Sequence, residues 1–482
     1  MKNKQLKRVI IALLIVIGIV VESCGSLKQS VREENKTVPE SYATVNSKPL
    51  DTVNSAQLNY KKFYNDEKLI GLIELALSNN QELNIFNQEI EVLKNESLAR
   101  KGEYLPFVGV GAEGGIEKTS KFTRDGAVEE NLTLPEGKAF PEPLGDLKAG
   151  LYSTWEVDIW KKLRNGQKAA VNRFLASQEG KNFLKTNLVA EIASSYYELE
   201  AFDNMLEIIN KNIDIQSKAL SSVKQQKEAA KVSQLAVNRF EAQLLNTINR
   251  QYEIKQKIVE TENRLNYLTG RYPTPLERLS NQFIQTENDS ISIGIPSQLL
   301  LNRPDVKKAE KELEATKFDV KSARANFYPN LALKAGVGFQ AFNPSFLIRP
   351  DSFIYNAAGE LMAPLINRKA IKAAYASANA KQLQAVISFE QTLLNAYVDV
   401  LNQEAKVDNF SNSFRRKSEE VKILLQSINT ANLLFNSARA DYTEVLLTQR
   451  EALEAKLELV EIKYKQLDGK IQLYRALGGG WK

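Results

Sequence analysis

Apolar and polar side chains alternate through residues 147–159: Leu147, Ala149, Leu151, Trp155, Val157 and Ile159 fall on one side, and Lys148, Gly150, Tyr152, Thr154, Glu156 and Asp158 on the other. A period of two predicts a strand with one apolar and one wet face. Leu331, Leu333, Ala335, Val337 and Phe339 alternate likewise with Lys334, Gly336, Gly338 and Gln340, and residues 353–365 continue the habit more loosely. Val108, Val110 and Ala112 against Gly109, Gly111 and Glu113 complete a set of four strands. After each pair, the residues that stop helices vanish. Residues 144–272 hold no proline, and residues 365–468 hold neither proline nor glycine. Ordinary helices average about 11 to 12 residues, so tracts of this length predict long helical hairpins. In the last helix Leu446, Leu453, Val460, Leu467 and Tyr474 recur every seven residues, interleaved with Leu457, Tyr464 and Ile471. That is the spacing of helices wound around neighbours. An amphipathic helix on a compact core also gives the stripe, but not the length.

The predicted long helices, 165–227 and 367–434, measure about 95 to 100 Å at 1.5 Å per residue. Their return helices, 232–268 and 440–477, reach only about 55 Å by the same rise. Short helices at 81–103 and 304–326 lead into the first and third strands and add about 35 Å each. In each half, one long helix is therefore expected beside two short ones stacked end to end. The halves also match in residues. Lys101-Gly102-Glu103-Tyr104-Leu105-Pro106 opens the first strand and Arg324-Ala325-Asn326-Phe327-Tyr328-Pro329 the third. Proline suits this junction because it ends a helix and can take a strand's first position.

Charge and composition narrow the function. Net charge is +6, of which Lys2, Lys4, Lys7 and Arg8 against Glu22 supply +3. The remaining +3, with acids and bases interspersed, gives no nucleic-acid footprint. The chain has no histidine and one cysteine, Cys24, which excludes His-based triads, His-containing zinc sites, Cys–His nucleophiles and intramolecular disulfides. No GxSxG elbow or GxxxxGK[ST] phosphate loop is present, and an enzyme is not expected. At the N-terminus, four basic residues precede the thirteen-residue apolar run 9–21, which fits an export signal and is short for a membrane-spanning helix. The run ends in Val21-Glu22-Ser23-Cys24-Gly25, which resembles a bacterial lipoprotein signal. Such a signal, 1–23, is cleaved to leave the cysteine as a new N-terminus carrying acyl chains. A leader that is uncleaved or cleaved in the ordinary way, with an incidental cysteine, is the alternative. Residues 24–65 are polar, with Pro39 and Pro49, and read as an extended tether.

Strands of about 10 tilted residues suffice to cross an outer membrane, apolar side to lipid and polar side to a lumen. A soluble sandwich with the apolar face as core is the competing reading. The loops favour the membrane. Residues 119–145, with Pro135, Pro141 and Pro143, and residues 343–351 both lie on the side away from the helices, as longer extracellular loops do. Four strands cannot close a barrel whose smallest membrane form has about 8, so a barrel would have to be shared among subunits. Trp155 and Trp160, at a strand end, suit a membrane-interface belt or ordinary packing.

These segments resemble the TolC family of bacterial outer-membrane channel proteins, in its lipid-anchored branch. The resemblance rests on Arg303-Pro304-Asp305-Val306 with Ala309-Glu310, and on Ala323-Arg324-Ala325 leading to Phe327-Tyr328-Pro329. It rests further on Trp155-Glu156-Val157-Asp158-Ile159-Trp160 with Leu163-Arg164, and Asp441-Tyr442-Thr443-Glu444-Val445-Leu446 with Gln449-Arg450. It implies an α+β membrane protein: a homotrimer with a 12-stranded outer-membrane β-barrel, four strands from each chain, continued by a periplasmic α-helical coiled-coil barrel. The chain then divides into a first repeat, 66–270, a linker, 271–297, a second repeat, 298–477, and a tail, 478–482.

The function implied is the outer-membrane channel of a tripartite efflux pump, lipid-anchored in the bacterial outer membrane. It would pass drugs, toxic compounds or metal ions. Its partners would be a periplasmic adaptor, an inner-membrane pump of the RND type and outer-membrane lipid. No cofactor is implied beyond the acyl or diacylglycerol lipid on Cys24. A duct of a type I protein secretion system shares the fold, and a non-channel coiled-coil scaffold lipoprotein is a reading of another class. The hairpin turns, 228–233 and 437–441, would form the periplasmic gate. Glu444 matches the family's acidic tip residue, Leu447 stands where some members carry a second acid, and Arg439 with Asp441 would supply polar contacts beside Ala438. The other reading of Glu444 is a solvated acid favoured by the helix start.

Overall fold

The structure, a computed structural model, describes residues 32–43, 52–134, 137–278, 280–285, 291–366, 368–437 and 439–481. The leader 1–23, Cys24 and Ala438 lie outside the described residues. Ten helices and four strands are named among those described: α1 Tyr60–Tyr64, α2 Glu67–Asn79, α3 Gln81–Glu103, β1 Phe107–Glu117, α4 Arg124–Asn131, β2 Leu144–Val157, α5 Lys162–Glu228, α6 Gln234–Leu268, α7 Leu299–Asn302, α8 Pro304–Ala325, β3 Asn330–Ala341, β4 Phe353–Met362, α9 Lys369–Asn436 and α10 Tyr442–Ala476. The chain forms two compact units. One holds Pro106–Lys162 and Thr316–Ile387, and the other holds Lys36–Leu105, Leu163–Ala315 and Ser388–Lys482.

The first unit contains the sheet, antiparallel throughout in the order β1-β2-β3-β4. Its register aligns the alternation of all four strands. Val110, Leu151, Val337 and Tyr355 form one row, and Ala149, Phe339 and Phe353 the next on the same face. One residue off, Gly111, Gly150 and Gly338 share a row, as do Glu113, Lys148 and Gln340. One face is therefore mainly apolar and the other mainly polar and glycine-rich, with Ile354 of β4 completing the glycine row, because a period of two sorts the side chains once the strands pair in this register. At the helix junction Phe327 packs edge-on against Tyr375 at 5.8 Å, within a buried cluster with Val320.

The long helices, most of whose length lies in the second unit, are 67 and 68 residues and their return helices 35 each, close to the expected bounds. Of the seven-residue series, Leu453, Val460, Leu467 and Tyr474 are buried and Leu446 is partly buried. Val460, Leu467 and Tyr474 belong to a core in which Ile192, Tyr196, Leu199 and Ile209 of α5 meet Leu69 and Ile73 of α2. The expected end-to-end stacking is visible in side chains. Asn80 accepts from Leu83 N as the N-cap of α3, while its amide donates at 3.0 Å to Leu268 O, the last residue of α6. In the other half Arg303, just before α8, donates at 2.8 Å to Ala476 O, the last residue of α10. Both return helices close with the same motif. Arg271 N bonds Asn266 O and Gly479 N bonds Tyr474 O, with Gly270 and Gly478 at φ 68° and 92°. Left-handed backbone at this position favours glycine. A Cβ at Gly270 would also meet Asn79 O at 2.6 Å, and one at Gly478 would meet Asn302 O at 2.6 Å.

Where residues 24–65 are described, parts of the segment pack against the helices. Tyr42 is buried and stacks on Tyr397 at 5.4 Å. Residues 60–64 form α1, capped by Asn59, and Phe63 stacks on Tyr474 at 3.9 Å. Tyr60, Phe63 and Tyr64 stand at i, i+3 and i+4, which puts three rings on one side of a single turn. In the tail, Gly478, Gly479 and Gly480 are likewise buried.

Candidate functional site

Three places carry functional expectations: the sheet's faces, its ends and the helical turns. The ends of the sheet are aromatic. At the end where β2 finishes, Trp155 lies on the apolar face opposite Leu333. Beyond it Trp160 stacks on Tyr328 at 4.7 Å and donates its indole N–H to Pro329 O at 2.8 Å. At the other end Phe339 meets Phe353 at 5.9 Å, and Phe342 meets both Phe140 and Phe346 at 6.2 and 5.6 Å. An apolar band between two aromatic groups is the pattern that membrane barrel walls carry. Among the described residues no helix is long and apolar enough to cross a membrane, which leaves strands unaddressed.

At the turns, α5 and α6 meet through a left-handed Ala230, and α9 and α10 through a bend in which Arg439 N bonds Leu434 O at 2.8 Å. Leu220, Val223, Ala236, Val237 and Phe240 form a separate apolar cluster here, packed by Tyr442 and Leu446 of α10. Val445 is buried, while Glu444 in the same first turn is exposed, as are Arg439, Asp441 and Leu447. The Asp441 carboxylate accepts from the Thr443 hydroxyl at 3.4 Å and caps no backbone N–H. The three polar residues singled out by sequence share one turn, but among the described residues no ion pair joins them. Outward display of Glu444 at a helix start matches both the dipole preference and a ring facing a pore.

With a sheet of this kind and two hairpins of this length in hand, the match to known proteins is decisive. The profile described as outer membrane efflux protein matches residues 72–271 and 295–479. The chain belongs to the outer membrane efflux protein family. This efflux protein is 25% identical to the solvent efflux pump outer membrane protein SrpC of Pseudomonas putida over 429 residues, 87% of each chain. It is 23% identical to the probable outer membrane lipoprotein SilC of Salmonella typhimurium over 463 residues, 96% of this chain and 97% of that one. Its fold is similar to that of the outer-membrane channel OprN, with a TM-score of 0.83 at 22% identity, covering 94% of this chain and 99% of that one.

The α10–α8 joint of this efflux protein carries a charge network that no local sequence pattern marks. The Arg303 side chain is 7% exposed and forks onto Asp305 at 3.0 and 2.7 Å. It also reaches Asp399 at 3.2 Å, and Arg475 approaches the same carboxylate at 3.3 Å. Burial works against the Arg303 charge, but Asp305 and Asp399 outweigh it and hold the guanidinium pKa above its ordinary value. In the first half Arg278 is held in the same spirit by Asp203 of α5 and Glu262 of α6. The signal for Arg303 was a basic residue before a Pro-Asp helix start. Its partner stands 96 positions away, where no local pattern reaches.

Proposed function

We propose that this efflux protein is the gated outer-membrane duct of a tripartite pump, working as a homotrimer. The observation that carries this is the sheet: one apolar face banded by aromatics, one polar glycine-rich face, and two edges, β1 and β4, each with an unpaired side among the described residues. Edges of this length invite pairing with another chain. Three copies of four strands make a closed 12-stranded barrel, polar side inward, and the hairpins continue the path as a periplasmic helical tunnel. The mechanism is passive. An inner-membrane pump of the RND type supplies the energy, a periplasmic adaptor joins it to the hairpins, and this chain supplies a hydrated path and a gate.

Cargo is read as small toxic molecules, organic or ionic, in keeping with the solvent efflux named for SrpC. Repeats 66–270 and 298–477 with the linker 271–297 are the units of this design. Purified wild-type protein is expected to give single-channel currents in planar bilayers, and to stay with outer membranes after alkaline washing. Absence of current and release on washing would instead support a periplasmic scaffold.

Glu444, with Asp441 and Arg439, is read as the polar ring of the gate. Glu444→Ala is expected to reduce cation preference and cation block in the same bilayers, because a carboxylate ring concentrates cations at a constriction. Unchanged reversal potentials would remove Glu444 from the ring. The anchor is read as Cys24 carrying acyl and diacylglycerol chains. Mass spectrometry of the mature N-terminus is expected to find the lipid on wild type and none on Cys24→Ser, and an unmodified wild-type N-terminus would overturn it.

A further inference from the structure

The hairpins carry a buried polar layer between two apolar ones. Helices α5 and α10 run antiparallel: Ser194 bonds Gln472 at 3.2 Å, and the same 26-residue step along each helix leads to Leu220 and Leu446, which share the tip cluster. Gln216 lies one turn before Leu220 and Gln449 one turn after Leu446, so both occupy the next level up the seam. Both are buried, at 4% and 9% exposure. Gln216 Nε2 and Oε1 and Gln449 Oε1 have no hydrogen-bond partner, and among the described residues Gln216 is the side chain with both amide atoms buried and unbonded.

On the turn side of this level sits the cluster of Leu220, Val223, Val237 and Phe240, and on the other side the core that includes Ile209 and Val460. Buried amides without partners favour any arrangement that lets water reach them. Apolar layers above and below favour staying shut. A seam built this way is weakest at its polar level, since a single polar core position costs a coiled coil stability.

We propose that the Gln216–Gln449 layer is the pivot of the gate: the tip cluster moves as a body, and the helices part at this level, where parting hydrates the amides. Closed and open states then differ by the hydration of three amide atoms, which gives an adaptor a small difference to work against. This rests on the gated-duct reading above.

The test replaces both residues with the near-isosteric Gln216→Met and Gln449→Met in the full chain. Hydrogen exchange in detergent is expected to show wild-type amides on the turn side of the layer, 217–240 and 442–448, opening as one unit. In the double variant their exchange slows by about tenfold or more, the scale set by a buried amide left without partners. Bilayer open probability falls with it. Unchanged exchange overturns the pivot, as does slowed exchange beside an unchanged open probability. If wild type carries no current while exchange slows as expected, the duct reading fails and the polar layer stands as the opening point of the hairpins. Leu220→Gln, which extends the polar layer toward the turn, is expected to speed exchange there, and slowing would overturn the pivot.

Discussion

Gly338→Val is expected to abolish folded protein in the outer-membrane fraction, while Gly115→Val in the same sheet leaves it close to the wild-type level. Gly338 of β3 lies opposite Gly150 of β2, with Gly111 of β1 next in the row. A Cβ on Gly338 would fall 2.4 Å from Ala149 O and 2.7 Å from Gly150 Cα. The reverse holds at Gly150, where a Cβ would meet Val337 O at 2.4 Å and Gly338 Cα at 2.7 Å. These are backbone atoms of a paired strand and cannot swing aside. Room for a side chain can come only from separating β2 and β3, which loses ladder hydrogen bonds of about 1 kcal/mol each. Nothing lies within 4 Å of a Cβ on Gly115, which makes it the matched control. Heat-modifiable migration on gels and the yield in washed outer membranes read the result. Equal yields of the two variants would show that the glycine row is not required. In the proposed barrel the row would have a second use, since glycines on a sheet's inner face permit the coiling that closure demands.

How much of this was legible in sequence varied with the range of the interaction. The period of two in β2 and β3 is a local property, and the register then had to follow because a one-residue slip turns Leu151 and Val337 to the wet face. The hairpins announced themselves through missing proline and glycine, and the bounds of α3 were legible to the residue because Asn80 caps it and Pro106 follows it. What escaped was held together across long separations. Helix α1 is too short to show a period, and its stability comes from Tyr474, more than 400 positions on. The glycines of the wet face could be placed on a face but not in a shared row before pairing was known. At the turns, Glu444 could be assigned to an exposed helix start, whereas the orphaned amides of Gln216 and Gln449 become visible only when both helices are in place.

Arg303→Met is expected to be the most damaging single change in the helical unit, lowering stability by about 3 to 5 kcal/mol, the cost of breaking a buried pair from one side. The guanidinium joins the start of α8, through Asp305, to Asp399 of α9 and to the last carbonyl of α10. Methionine fills the volume but leaves the Ala476 carbonyl without this donor and Asp305 without its cation. The dipole at the start of α8 offsets part of the Asp305 loss, and Arg475 remains beside Asp399, so the lower end of the range is favoured. Arg303→Lys keeps the charge but not the fork, and should fall between wild type and Arg303→Met. The corresponding joint in the first half offers the comparison. There Asn80 makes neutral bonds to Leu83 N and Leu268 O, and Asn80→Ala should cost only about 1 to 2 kcal/mol. Urea midpoints of the detergent-solubilised full chain give the order directly. If Asn80→Ala proves as costly as Arg303→Met, the charge adds nothing to the joint, and end-to-end stacking of the helices alone accounts for its strength.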